Sequence, residues 1–233
     1  MSLVPSLTET IAQSAPEVLV GATDWCTHPA DLDVTRVRGT KNPDLERILA
    51  LTPDLVVANK EENRALDIDT LVAAGIPVWV TAPVTVPGAL DSLGRLLTEA
   101  LGLPREPDWL QASRRAWGMP SPPVSMTAAV VIWRRPWMVV GPGTFTGDVL
   151  HRLGVSNVFD GADSRYPRTT VEAIREHSPD MVVLPDEPYA FSAVDGPEAF
   201  AGLRCVLVPG RLLTWYGPSL ATARAQLSAA VLG

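Results

Sequence analysis

The sequence predicts an α/β protein of two Rossmann-like parallel-sheet lobes joined by a helical connector. Three observations carry that prediction. Short β-branched runs alternate with helical stretches along the whole chain. One helix–turn–strand pattern occurs twice at a fixed distance, and a leucine-striped stretch between the two copies has helical spacing and ends in a proline-rich break.

Strands are expected at Leu3-Val4, 18–20, 55–58 and 78–81 in the first half, and at 129–133, 138–140, 181–184 and 206–208 in the second. The helices between them carry start signals: Ser6 with Glu9 three residues on, Asn42 before Pro43, Pro87 before the stripe Leu90, Leu93, Leu97 and Leu101, and Thr169 with Glu172. Residues 45–57 read LERILALTPDLVV and residues 171–183 read VEAIREHSPDMVV, sharing Glu, Ile, Pro-Asp and Val-Val across 126 residues. Each copy reads as a short helix, a Pro-Asp turn and a buried parallel-type strand. That grammar is common in α/β proteins, but the surroundings recur too, with a small-residue and Pro-rich turn upstream and a polar or acidic cluster downstream. Between the copies, 86–119 is helical by pattern, with Trp109, Ala112, Ala116 and Trp117 at helical spacing, and Pro120-Ser121-Pro122-Pro123 stops it. The expected domains are residues 1–84, a helical connector at 85–123, and residues 124–233.

Composition narrows the function classes. With 233 residues, 46% of them hydrophobic and 19% charged, the chain can bury a sizeable core. Its net charge is -7 and its nineteen basic residues are scattered, so no electrostatic footprint for nucleic acid is present. No apolar run approaches the ~18 residues of a membrane-spanning helix, and the N-terminus offers neither a basic nor an apolar signal region. Cys26 and Cys205 lie far apart without a CxxC or zinc-ribbon pattern, which reads as two free thiols, with one long-range disulfide as the alternative.

Ligands of open parallel sheets bind beyond the carboxyl ends of the strands, and the segments leaving these strands are rich in aromatic, amide and charged residues. The first lobe offers Trp25, Cys26 and His28 in the run DWCTHP, Lys41 and Asn42, and Asn59 ahead of Glu61-Glu62. The second offers Trp133 and Arg135, Tyr166, Tyr189, Trp215 and Tyr216. Such residues facing each other across two lobes describe a cleft for a sizeable organic ligand. Cys26 and His28 are also candidate metal donors, although one segment supplies two ligands at most; their alternative roles are a partly buried thiol and a loop-capping imidazole. The turn Gly141-Pro142-Gly143-Thr144-Phe145-Thr146-Gly147, with Asp160 after the next strand, has the outline of a dinucleotide fingerprint. It reads equally as a tight strand-to-helix turn capped by Thr144 or Thr146. No GxSxG elbow, Walker loop or HExxH motif is present.

The runs SLVPSLTET, GATDWCTHP, GTKNPDLERILALTPDLVVANKEEN, IWRRPWMVVGPGTFTGDVLHRLGVSNVF, YPRTTVEAIREHSPDMVVLPDEPYAF and LLTWYGPSL, in that order, resemble the cobalamin- and iron-siderophore-binding proteins of bacterial ABC importers. The likeness is closest to the cobalamin-type branch. It implies two α/β lobes bridged by one helix with little hinge motion, no enzymatic activity, no intrinsic cofactor, and a metal chelate (cobalamin, ferric siderophore or haem) as the ligand. It further implies that Glu46 and Glu172 dock into arginine pockets of a permease, that Trp25, Trp133, Tyr166 and Trp215 line the cleft, and that Lys41 and Asn42 stand at ligand-contact positions. Trp79, Trp109, Trp117 and Trp137 are assigned to core or connector. A monomer is expected, extracytoplasmic by the resemblance and cytoplasmic if the chain as given is the complete native protein. Two alternatives stay open: an NAD(P)-dependent enzyme using the 141–147 turn, and a cytosolic metal-chelate-handling relative without a signal or permease.

Overall fold

Two stretches 126 residues apart fold alike. The computed structural model describes residues 1–233. The first stretch supplies α2 and β5 and the second α7 and β10, within a chain that runs α1 (Pro5–Ser14), β1 (Gly21–Ala22), β2 (Thr35–Arg36), β3 (Arg38–Gly39), β4 (Asn42–Pro43), α2 (Leu45–Leu51), β5 (Val56–Asn59), α3 (Ala65–Ala73) and β6 (Val78–Thr81). There follow α4 (Val86–Arg95), which continues into a π-helical turn at Leu96–Ala100, and α5 (Asp108–Gly118). The remainder is β7 (Met126–Arg134), β8 (Trp137–Val139), α6 (Phe145–Arg152), β9 (Val155–Asn157), α7 (Val171–Glu176), β10 (Met181–Pro185), β11 (Cys205–Val208), α8 (Gly210–Thr214) and α9 (Leu220–Leu232).

The equivalence of the two copies extends to their backbone. Asp44 and Thr170, at matching positions, cap α2 and α7, their side chains accepting from the backbone N–H of Arg47 and Ala173 at 3.1 Å each. Thr52 and Ser178, again matching, leave the helices in the left-handed region at φ 44° and 48°. Pro-Asp then turns the chain into the strand. Ile48 and Ile174 are fully buried, as are Val56 and Val182, so the shared apolar letters are the inward ones.

The chain condenses into two units, one of Met1–Pro83, Ala89–Gln111 and Tyr216–Pro218, the other of Val84–Gly88, Ala112–Trp215 and Ser219–Gly233. In the first, β1 pairs with β2, Ser2 bridges Ala22 on one side and Val57 on the other, and β5 pairs with β6, all parallel, giving the order β2, β1, Ser2, β5, β6. Leu3, Val37, Ile48, Val56 and Leu71 form its core. In the second, β7 is central: β10 and then β11 lie parallel on one side, β9 lies parallel to its first residues, and β8 folds back antiparallel along its last ones. Ala129, Val131, Ile174, Val182, Leu184 and Phe200 lead its core. In both units the strand after the repeat helix has the next strand in sequence on one side; on the other lies the bridging Ser2 in the first unit and β7 in the second.

Several local expectations are corrected. Residues 18–20 are not a strand: Pro16 starts a 3₁₀ turn through Val18, and pairing begins at Gly21. Leu3-Val4 does not pair as a strand either, because only Ser2 bridges and Pro5 already opens α1 with Val4 as its cap. Ser6 and Glu9 therefore do not form a capping box; both are buried inside the helix. Asn42-Pro43 is a strand paired with β3 rather than a helix start, and Thr170, not Thr169, caps α7.

Candidate functional site

In the first unit the loop after β1 is held from beneath. The Arg36 guanidinium donates to the carbonyls of Thr23 (3.0 Å), Cys26 (2.8 Å) and Leu32 (3.1 Å), and so fixes residues 23–32 as a ring around one cation. Cys26 points inward with no exposed surface, its sulfur accepting from Thr8 Oγ1 at 3.0 Å and standing 3.1 Å from Thr23 Oγ1. Burial pushes its thiol pKa up, against the lowering effect of these hydroxyls and of Arg36. The flanking residues face out: Trp25 is 67% exposed, and the exposed His28 ring rests 3.2 Å from Thr27 Oγ1. The structure thus separates Cys26 from His28, one sulfur buried and one imidazole in solvent. No cluster of three or more His, Cys, Asp or Glu residues is arranged to hold a metal ion.

At the ends of β5 and β6 lies a polar hub that includes two of the expected ligand-contact residues, Asn59 and Tyr216. Asn59 Nδ2 donates to Tyr216 Oη (2.6 Å) and to the Thr81 carbonyl (3.1 Å), while its Oδ1 accepts from the backbone N–H of Glu61 (2.7 Å) and Glu62 (3.2 Å). Asn63 Oδ1 accepts from the Asn59 N–H at 2.8 Å, and Asn63 Nδ2 donates to the Thr40 carbonyl at 3.0 Å. Tyr216 is 5% exposed, with Oη also 3.0 Å from Thr81 Oγ1. Burial raises its phenol pKa far above the usual value, with the nearby Glu61 and Glu62 charges adding to the rise, so the ring stays neutral. Asn59 and Tyr216 thus build the loop from within. The outward residues it carries are Lys41, whose ammonium sits on the Glu61 carbonyl, and the exposed Asn42. Asn42 Oδ1 lies in the space where a Cβ on Gly39 would stand, so a side chain at residue 39 would turn the Asn42 amide aside.

In the second unit Trp133, 41% exposed at the end of β7, meets the Tyr189 ring edge-on at a centroid distance of 5.7 Å. Arg135 is exposed beside them, and Tyr166 is half-buried on the 160s loop. Trp215 is only 8% exposed and belongs to the core. The other tryptophans are half-buried or buried: Trp109 Nε1 donates to Ser14 Oγ (3.1 Å), Trp117 Nε1 to the Leu220 carbonyl (2.8 Å), Trp137 stacks on Phe191, and Arg95 covers Trp79.

The Gly141 end of the 141–147 turn is filled by protein. The Ser164 carbonyl stands where a Cβ on Gly141 would lie, the Gly141 N–H donates to the Arg165 carbonyl at 2.8 Å, and Arg165 donates to the Gly143 carbonyl at 2.5 Å. Thr144 caps α6 by accepting from the Gly147 N–H at 3.1 Å, and Asp148 puts a carboxylate in its first turn. At Gly141 a pyrophosphate would meet backbone already in place and an N–H already spent on the Arg165 carbonyl. The dinucleotide reading is corrected on that ground.

Sequence reasoning missed Arg36 and Thr81, two polar residues of ordinary appearance whose partners lie across loops or strands, and no local spacing marks them.

Parallel sheets whose carboxyl ends carry aromatic and amide-rich loops are the frame of α/β ligand-binding proteins. A family model described as periplasmic binding protein matches residues 6–200, and the chain belongs to that family. It is 24% identical over 208 residues to the vitamin B12-binding protein of Pectobacterium carotovorum, covering 83% of this chain and 73% of that one. With the vitamin B12-binding protein of Salmonella typhi it shares 28% identity over 192 residues, 79% and 71% of the two chains. Among solved structures it superposes on the periplasmic vitamin B12-binding protein of Vibrio cholerae with a TM-score of 0.77 at 19% identity, covering 98% and 94% of the two chains. The periplasmic heme-binding protein of Roseiflexus sp. RS-1 gives a TM-score of 0.80 at 21% identity, covering 98% and 95%. At those identities the two structures establish the fold. No helix is long and apolar enough to cross a membrane.

Proposed function

We propose that this chain is the substrate-binding protein of an ABC-type importer and that its ligand is a metal chelate of the corrin, porphyrin or siderophore kind. Family membership supports the binding role. The observation that carries the ligand class is the pair of outward tryptophans, Trp25 and Trp133, each leaving the carboxyl end of a parallel strand, 67% and 41% exposed where a tryptophan is normally covered. Large π-faces on fixed loops suit a wide, flat ligand. Lys41, Asn42 and Arg135 are exposed and Tyr166 is half-buried, and in this reading they supply polar contacts to its periphery. No catalytic constellation enters this reading.

Glu46 and Glu172 fit permease docking. Both occupy the second position of equivalent helices, both are exposed, and capping is done by Asp44 and Thr170, so neither carboxylate is needed for the fold. In this reading the protein works outside the cytoplasm.

The test is a fluorescence titration of the purified protein with cyanocobalamin, ferrichrome and hemin, each to about 50 μM, corrected for inner-filter absorption. At least one is expected to quench tryptophan emission saturably, and Trp25→Ala and Trp133→Ala should each weaken that ligand about tenfold, the effect of losing one aromatic stack. Unchanged emission with all three ligands would remove the proposal.

A further inference from the structure

Arg134, the last residue of β7, has no role in the preceding reading, yet it organises the segment that carries Tyr189. Its side chain is 18% exposed and lies over the Trp137 ring at 5.3 Å. One guanidinium nitrogen pairs with Asp195 Oδ1 and the other with Glu198 Oε1 at 2.5 Å. The second oxygen of each acid is also used. Asp195 Oδ2 accepts from Tyr189 Oη at 2.7 Å, and Glu198 Oε2 accepts from the Gly196 N–H at 2.5 Å. Ser192 and Asp195 exchange two backbone hydrogen bonds, closing a small loop between the tyrosine and the acids. Tyr189 then presents its ring edge to Trp133.

We propose that Arg134 is a positioning residue of the ligand wall in this unit: through Asp195 it holds the Tyr189 hydroxyl, and through Tyr189 it sets the orientation of Trp133. The inference rests on the reading of Trp133 as a ligand contact. Its physics is a charge relay of positions rather than of protons. A planar guanidinium engages two carboxylates that would otherwise repel each other, and the phenol donates to one of them, so a tyrosine on a loop acquires a fixed rotamer. A fixed rotamer on each ring lets a flat ligand stack without the entropy cost of ordering them. Because two acids already neutralise it, Arg134 is not a contact for ligand anions. That leaves Arg135 as the cation of this loop available to the ligand.

The experiment compares wild type, Arg134→Met, Arg134→Lys, Tyr189→Phe and the double variant Arg134→Met/Tyr189→Phe. Affinity is measured for whichever of hemin, cyanocobalamin or ferrichrome the wild type binds. Arg134→Met should weaken it about tenfold and Tyr189→Phe, which keeps the ring, about threefold, with Arg134→Lys between wild type and Arg134→Met. The double variant should be no weaker than Arg134→Met within about twofold, because the hydroxyl has nothing to position once the acids are released. Multiplicative losses in the double variant would overturn the proposal, since independent contacts or general destabilisation give that result.

Hydrogen exchange on the ligand-free protein is read in parallel. Amides of residues 189–198 should exchange at least about tenfold faster in Arg134→Met while those of Met181–Pro185 keep their protection. Equal exchange across both segments overturns the proposal. If none of the three probes binds the wild type, the functional reading falls and the exchange data alone decide whether Arg134 fixes the segment. Should Arg134→Met fail to fold, Arg134→Lys and Tyr189→Phe carry the same comparison.

Discussion

Removing a single oxygen from the buried hub, in Tyr216→Phe, measures how firmly the first-unit loops are built. Tyr216 Oη accepts from Asn59 Nδ2 at 2.6 Å and lies 3.0 Å from Thr81 Oγ1, in a position 5% exposed. Each such bond contributes about 0.5–1.5 kcal/mol net. After the change the two N–H groups of Asn59 Nδ2 keep the Thr81 carbonyl at 3.1 Å and Thr81 Oγ1 at 3.3 Å, and Thr81 Oγ1 keeps the Ala58 carbonyl at 3.1 Å, so no buried donor is orphaned. The expected loss is therefore the bond energy without a large desolvation penalty, about 1.5–2.5 kcal/mol. For a chain of this size that lowers Tm by about 3–8 °C, read by circular dichroism at pH 7. Asn59→Ala should cost more, because it also strips the backbone N–H groups of Glu61 and Glu62 of their acceptor. A Tyr216→Phe melting temperature within about 1 °C of wild type would refute the hub, and so would Asn59→Ala costing less than Tyr216→Phe.

Two further outcomes follow from titratable groups. Asp180, the aspartate of the second Pro-Asp turn, accepts from the Thr127 N–H at 2.7 Å and from Thr127 Oγ1 at 2.9 Å, which holds its carboxyl below the ordinary 3.8. A depressed carboxyl contributes stability above its unfolded pKa and loses it as pH falls through the folded value. Asp180→Asn should therefore lower Tm at pH 7 and flatten its decline below pH 4; an acid limb as steep as wild type's would show that Thr127 holds the turn without the charge. Cys26, buried and with its thiol pKa raised, should resist a thiol-specific disulfide reagent at pH 8 in native protein and react fully in guanidinium, and fast native labelling of Cys26 in Cys205→Ser protein would contradict its placement.

Much of this protein was legible along the chain because periodicity and turn chemistry are local. The 78–81 strand, the alternation of strands with helices and the duplicated helix–turn–strand were all readable, since a buried parallel strand must be a β-branched run and a Pro-Asp turn must interrupt a helix. The duplication proved deeper than its letters: Thr52 and Ser178 share no side chain, yet both take the left-handed backbone that ends their helices. Short β-branched runs misled where a proline intervened, as at Val18 after Pro16.

What only the tertiary structure decided is which of the polar and aromatic loop residues face outward. Trp25 and Cys26 are neighbours in sequence, one 67% exposed and the other fully buried, and nothing in the letters separates them. The difference is made by Arg36, Thr8 and Thr23, which hold the loop from below through carbonyls and a sulfur. Asn59 and Tyr216 pair across 157 positions, and Arg134 gathers acids more than sixty residues away. A sequence by itself determines which residues are capable of hydrogen bonding and which faces are apolar. Which capable groups find one another, and so which are spent inside the fold and which remain for a ligand, depends on distances that exist only after the chain has closed.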